Sequence, residues 1–293
     1  MSNYVLSCCS TADLTKEQLD RRGIRHVCFH YCIDGEEHFD DLGESMSYDE
    51  FYARMAAGAA TRTSQVNISE YVAYFSEFME QGLDVVHICL SSGLSGTINS
   101  ARNAALIVGE RYPERKLYIV DSFAASTGYG MLVCAAADQR DKGMDAEQLA
   151  QWVTDNRLYL NHLFFSTDLS SYVRGGRISK AAAVFGGMLE ICPLLYMDEG
   201  GHLVMHSKVR TKRKVMRMIV QRMAELADNG GDYAGKCFLS HAGCIEDAKN
   251  VAAMIKERFP KLDGDVTVNS VGTCIGSHTG PGTIAIYFWG RKR

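Results

Sequence analysis

The residues best suited to chemistry sit in short polar loops. Ser91-Ser92-Gly93-Leu94-Ser95-Gly96-Thr97 follows an apolar run ending at Leu90 and precedes a helix beginning near Thr97. Gly93 and Gly96 allow close backbone approach. Ser91, Ser92, Ser95 and Thr97 add hydroxyl donors, and a helix start offers free N–H groups at the positive end of its dipole. An ordinary cap needs one such residue. Four hydroxyls and two glycines within seven positions point instead to a grip on the head group of a small acidic ligand.

Three further clusters share that chemistry. Thr61-Arg62-Thr63-Ser64-Gln65 reads as a loop between two helices, and alone is a weak signal. Gly276-Ser277-His278-Thr279-Gly280-Pro281-Gly282-Thr283 reads as a Gly-rich turn between two late strands, which would suit a satisfied structural His equally well. Tyr172-Val173-Arg174-Gly175-Gly176-Arg177-Ile178 carries two guanidinium groups, planar forks that pair with carboxylate or phosphate. One of Arg174 and Arg177 is expected to bind ligand and the other to brace Asp168 or another acid. Taken together, the four clusters predict one shared polar site.

Other groups weigh less. Lys208, Arg210, Lys212, Arg213, Lys214 and Arg217 form a basic stretch, either the solvated face of a helix or a docking patch for an acidic partner. Val215, Met218, Ile219, Arg222, Met223 and Leu226 account only imperfectly for its other face. Cys8, Cys9, Cys28, His30 and Cys32 invite a redox or metal reading, and positions 28, 30 and 32 share one face of an expected strand. Flat strand geometry seldom closes a tetrahedral site, so no metal is expected there.

These loops need a scaffold. Strand-like runs at Tyr4 to Ser7, His26 to Ile33, Asp84 to Leu90 and Lys116 to Val120 alternate with amphipathic segments at Tyr48 to Ala57, Ile68 to Gln81 and Asn99 to Glu110. Such alternation predicts an α/β unit with a mainly parallel, Rossmann-like sheet. Asn67 and Glu70 make a capping-box start, Gly82 a stop, and Tyr71, Tyr74, Phe75, Phe78 and Met79 recur at helical spacing as core. Helix continues from Ala124 to about Leu160, broken near Lys142-Gly143. The pattern then changes, which predicts an N-terminal α/β domain over 1–160 and a C-terminal one with a mixed sheet over 161–293.

In the second domain an Ala-rich helix follows Ser179 and reaches Phe185-Gly186-Gly187-Met188. Ile191 to Met197 and Leu203 to Val209 form a hairpin about Asp198-Glu199-Gly200-Gly201. Helices at Thr211 to Ala227 and Ile245 to Phe259 then alternate with strands at Lys236 to His241, Val266 to Val271 and Thr283 to Trp289.

Composition narrows the function. With 293 residues, 46% of them hydrophobic, the chain can bury a large core. A net charge of -4 gives no overall drive toward nucleic acid or an anionic membrane surface. No leader pattern and no run near the ~18 apolar residues of a membrane span stand out, so a soluble cytoplasmic protein is expected. The 10 cysteines form neither a disulfide framework nor a zinc pair, and most read as buried apolar residues. No cofactor is expected.

With those residues assembled, the chain resembles the DegV family, bacterial fatty-acid-binding proteins that include the binding subunits of fatty acid kinase. The resemblance runs end to end. It rests on Ser10-Thr11-Ala12-Asp13-Leu14, Thr63-Ser64-Gln65, Leu94-Ser95-Gly96-Thr97, Asp121-Ser122, Arg174-Gly175-Gly176-Arg177-Ile178 and His278-Thr279-Gly280-Pro281-Gly282. It implies two α/β domains with one fatty acid held between them. The carboxylate would lie among Thr63, Ser64, Ser92, Gly93, Ser95, Gly96, Arg174, His278 and Thr279, with the acyl chain in a tunnel of the second domain. It further implies presentation to a separate ATP-dependent kinase subunit, which makes an acyl-phosphate for phospholipid synthesis, the binding protein itself doing no chemistry. Transient membrane contact is compatible with that role.

Two departures stand out. Cys9 replaces an Asp expected near the head group, and Val66 replaces a Pro. The competing enzyme reading is a Ser/His hydrolase of acyl esters with Ser95 as nucleophile and His278 as base. No GxSxG elbow surrounds Ser95, and no acid is evidently placed to orient His278.

Overall fold

The structure, a computed structural model, describes residues 4–179 and 191–293. The Ala-rich helix expected after Ser179 falls almost wholly outside the described residues.

In the first half, β1 (Tyr4–Cys9), β2 (Arg25–Val27), β3 (His30–Ile33), β4 (Glu36–Phe39), β5 (Thr61–Ser64), β6 (Asp84–Cys89) and β7 (Leu117–Asp121) form two sheets. Strands β2-β1-β6-β7 make the parallel sheet. Strands β4-β3-β5 make a small antiparallel one. Helices α1 (Lys16–Arg21), α2 (Tyr48–Ala56), α3 (Ile68–Met79), α4 (Thr97–Arg111), α5 (Ser126–Asp141) and α6 (Ala146–Asn156) complete this half. Asn67 and Glu70 form the expected capping box of α3. Tyr71, Phe75, Phe78 and Met79 are buried and Tyr74 packs against them.

In the second half, β8 (Leu160–Phe165), β9 (Ile191–Met197), β10 (Leu203–Arg210), β11 (Cys237–His241), β12 (Thr267–Ser270) and β13 (Ile284–Trp289) form a mixed sheet in the order β10-β9-β8-β13-β11-β12. Only β11 and β12 run parallel. Its helices are α7 (Ser170–Arg174), α8 (Lys212–Leu226), α9 (Ile245–Arg258) and α10 (Thr273–Thr279). The molecule is thus mixed α/β, with a parallel four-stranded sheet and a separate mixed six-stranded one.

Three expectations need correction. The run His26 to Ile33 is two strands: β2 joins the parallel sheet, whereas β3 belongs to the small antiparallel one. Cys28 lies in the break between them, so residues 28, 30 and 32 share no single strand. His30 instead pairs with Glu70 at 3.0 Å, and no cluster suited to a metal is present among the described residues. Thr61–Ser64, read as a loop, is strand β5, bonded edge-on to β3. The stretch around His278, read as a turn, is mainly helix α10, with a tight return at Gly280 and Gly282.

The two halves share one interior. The largest apolar cluster runs from Leu6, Val86 and Ile88 through Tyr129 and Leu132 to Phe164, Tyr172 and Tyr287. Helix α5, small and apolar on several sides, contacts β8, β11 and β13 as well as the start of the chain.

Candidate functional site: a polar cluster at a deep apolar cavity

A cavity of about 720 Å³ lies between the halves. That volume falls within the roughly 300–1,000 Å³ range of small-molecule sites. Much of its wall is apolar, from Phe29, Leu90 and Leu94 to Phe164, Met197, Leu203 and Ala285. On β8 and β13 alternate residues face it, because side chains on a strand alternate between faces. Phe164 and Ala285 are cross-strand partners there, as are His162 and Tyr287.

One part of the wall collects the expected polar residues. Thr63, Ser64 and Gln65 come from the end of β5 and just beyond, and Ser95 and Gly96 from the approach to α4. Arg174 and Arg177 lie at and beyond the end of α7, and His278 and Thr279 at the end of α10. His278 is the hub: Nε2 lies 2.7 Å from Thr63 Oγ1, and Arg177 Nη1 lies 3.4 Å from Nδ1. Arginine only donates, so Nδ1 accepts and the ring proton sits on Nε2, donated to Thr63. Thr63 keeps its own hydroxyl hydrogen for another acceptor, with Cys274 as a weak neighbour. Burial, then Arg177 and Arg174, lower the His278 pKa from 6.5 to about 4, so the ring is neutral. A Cβ on Gly175 would fall 2.2 Å from Nδ1, which explains the glycine.

The two arginines sit in different surroundings, and neither braces Asp168. Arg177 braces backbone, donating to Gly175 O and to Leu94 O at 2.9 Å, rather than to Asp168. Arg174 is exposed at the rim and donates to Ser171 Oγ at 3.1 Å. Neither forms an ion pair with a described acid, as Asp168 is engaged by Ser170. Thr279 Oγ1 is buried without a hydrogen-bond partner among the described residues.

The serine loop lines the cavity only in part. Ser91 Oγ donates to Gly201 O at 2.8 Å and accepts from Gly93 N. Thr97 Oγ1 is bonded to Tyr71 OH. Ser92 and Gly93 lie outside the cavity lining: Ser92 N donates to Asp121 Oδ1, and a Cβ on Gly93 would sit 2.6 Å from Gly201 O. That glycine answers to the β9–β10 turn pressing on the loop rather than to an anion. Ser95 Oγ accepts from Thr97 N, and Gln65 Nε2 holds Ser100 Oγ on α4.

A family model described as "Uncharacterised protein, DegV family" matches residues 9–291. A DegV domain-containing protein of Clostridium perfringens is 35% identical over 290 residues, covering 99% of this chain and 98% of its own. The chain belongs to the DegV family. Among solved structures, a DegV family protein of Thermus thermophilus described for fatty acid binding superposes with a TM-score of 0.85 at 26% identity, covering 98% of this chain and 99% of that one. DegV of Bacillus subtilis, a fatty acid binding protein, gives 0.84 at 25% identity over 99% and 100%. The Fatty Acid Kinase (Fak) B3 protein of Streptococcus pneumoniae, loaded with linoleic acid, gives 0.84 at 20% identity over 99% and 100%, a likeness of fold.

Neither departure from the DegV pattern lines the cavity. Cys9 lies outside the cavity lining, with Sγ 3.4 Å from Tyr71 OH and 3.6 Å from His87 Nε2. Val66 is fully buried and also off the wall. The Cys9 side chain thus faces Tyr71 and His87 in the core rather than the cavity. Lining residues that sequence reasoning passed over include Ser126, His162, Ser240 and Tyr287. The signal was present in part: His162 and Ser240 are polar residues inside largely apolar strands.

Proposed function

We propose that this chain binds a single long-chain fatty acid and presents it to a separate ATP-dependent kinase subunit for acyl-phosphate formation, acting in the cytoplasm without catalysing a reaction itself. The carboxylate lies among Thr63, Ser64, Ser95, Gly96, His278, Thr279 and Arg174, and the acyl chain fills the apolar cavity between an N-terminal domain over 1–160 and a C-terminal domain over 161–293. The observation that carries this reading is the union of a 720 Å³ largely apolar cavity with a cluster holding two guanidinium groups and an unpartnered buried threonine hydroxyl. Burying about a dozen methylenes at ~0.8 kcal/mol each gives a gross driving force on the order of 10 kcal/mol, part of it lost to association and ordering. The polar cluster replaces the water stripped from the carboxylate and sets head-group specificity.

Geometry disfavours the hydrolase. His278 has both ring nitrogens engaged, by Thr63 and Arg177, and its lowered pKa makes it a poor base near neutral pH. Ser95 Oγ is turned to Thr97 N. Native mass spectrometry of the purified protein should find a co-purified fatty acid. A clean apo mass, together with no uptake of oleate or palmitate, would refute the proposal.

The kinase docks on the exposed basic face of α8. Val215, Met216, Ile219, Val220 and Met223 are buried, leaving Arg213, Lys214 and Arg217 outward. Lys212 is committed to Asp247 at 2.8 Å. Arg213→Glu with Arg217→Glu should slow kinase-dependent acyl-phosphate formation about tenfold while leaving fatty acid uptake intact. Unchanged turnover would move the docking site elsewhere.

A further inference from the structure

Two carboxyls are buried close together, Asp13 closing the turn after β1 and Asp40 just after β4. They converge on Gly272, where a Cβ would lie 2.6 Å from Asp13 Oδ1 and 3.5 Å from Asp40 Oδ1. Their partners are hydroxyls and backbone N–H groups, with no described Lys, Arg or His in an ion pair to either. The titratable groups facing the pair from neighbouring elements are Tyr31, Tyr48, Tyr52, Cys28, Cys274 and Tyr287, phenols and thiols whose pKa burial raises. None supplies a positive charge.

Two carboxyls this near, stripped of water and without a cation, do not both ionise. The donors around them show which one keeps a proton. Asp40 receives Ser10 Oγ, Thr273 Oγ1 and the backbone N–H groups of Thr273 and Cys274, a set that suits an ionised carboxylate, which can only accept. Asp13 receives Ser126 Oγ on Oδ2, while Oδ1 is buried without a well-formed hydrogen bond among the described residues. Full charge on that bare oxygen would be costly, and a proton there removes it. Burial, then Asp40, push the Asp13 pKa well above its ordinary value, in the same direction.

We infer that Asp13 and Asp40 share one proton, held on Asp13 Oδ1, and that the neutral Asp13 is a positioning residue for the head-group site, letting the starts of α5 and α10 meet. Ser126, which opens α5 and lines the cavity, is tied to Asp13. Thr273, which opens α10 toward His278 and Thr279, is tied to Asp40. A second charge would set these two helix starts against each other. The bearing on ligand rests on the fatty-acid reading above; the proton does not.

The infrared spectrum of the full-length protein at pH 7, minus that of Asp13→Asn, should show the carbonyl stretch of a buried protonated carboxylic acid. Should Asp13→Asn not fold, the band is sought in the parent alone by its shift after refolding in D2O. Its absence overturns the inference and leaves fatty acid binding standing. Asn is a neutral isostere that tolerates the left-handed backbone at this position, where φ is 48°. Asp13→Asn should therefore bind palmitate within about twofold of the parent, and Asp40→Asn, whose amide NH2 would face donors, about tenfold more weakly. Equal losses in the two variants overturn the placement of the proton. The folded chain keeps a proton that the unfolded Asp13 releases above pH ~4, so the pair costs the parent stability as pH rises, and Asp13→Asn escapes that cost. The Tm of Asp13→Asn relative to the parent should therefore climb from pH 5 to pH 8, and a constant difference overturns the inference. Failure of the parent to take up palmitate would instead refute the fatty-acid reading, with the infrared and Tm measurements still deciding the proton.

Discussion

His278 is a neutral hydrogen-bond relay. Arg177 fixes its tautomer from one side, and the ring in turn orders the Thr63 hydroxyl on the other. A protonated ring would face Arg177 and Arg174 in a half-buried pocket, and those influences lower its pKa from 6.5 to about 4. The unfolded chain therefore takes up a proton, as pH falls from 6.5 toward 4, that the folded chain refuses. The stability owed to the neutral ring is full above pH 6.5 and is lost through that window, at on the order of 1 kcal/mol per pH unit. His26, His162 and His241 have lowered pKa values as well, so His278→Gln should make the acid slope shallower without abolishing it. Melting temperatures of parent and variant at pH 7.5, 5.5 and 4.5 test this. Equal slopes would mean that His278 is protonated in the folded protein or does not titrate.

At the scale of elements, the position of His278 depends on what fastens α10. Asp40, just after β4, accepts Thr273 Oγ1 at 2.6 Å and Ser10 Oγ at 2.8 Å, together with the backbone N–H groups of Thr273 and Cys274. Asp40→Ala strands those buried donors and should cost about 2–3 kcal/mol. Because α10 then loses its anchor, fatty acid affinity should fall as well. Denaturant melts paired with a fatty acid titration check both, and an Asp40→Ala protein of parental affinity would detach α10 from the site. This anchor also shows where sequence reading runs out. Helix α3 was legible because its cap and apolar period are local. Strand β5 was not: Thr-Arg-Thr-Ser has no apolar alternation, and only pairing with β3 makes it a strand. Ser95, His278 and Thr279 were legible by residue type, and they line the cavity. Ser92 and Gly93 look the same in sequence, but Ser92 N is held by Asp121 and Gly93 makes room for Gly201, more than a hundred residues distant, contacts that no local pattern encodes.

On the scale of the whole molecule, the polar cluster draws Thr63 and Ser95 from the first half and Arg174, Arg177 and His278 from the second. The apolar interior is likewise continuous from Leu6 to Tyr287. Two halves that share a core should unfold together, so calorimetry of the delipidated protein should give one transition, in contrast to two independently folding domains. A ligand seated between the halves binds only the native state and raises stability by RT ln(1 + [L]/Kd), about 2.7 kcal/mol at a hundredfold excess over Kd. For a chain of this size that is a rise in Tm of roughly 4 °C. Methyl palmitate keeps the acyl chain but lacks the anion that Arg174, Thr279 and Thr63 would receive. At equal concentration it should raise Tm by less than half as much as palmitate. Equal shifts would place the recognition in the acyl cavity alone and leave the polar cluster without a ligand role. Two separate transitions, only one of them moved by palmitate, would confine the site to a single half.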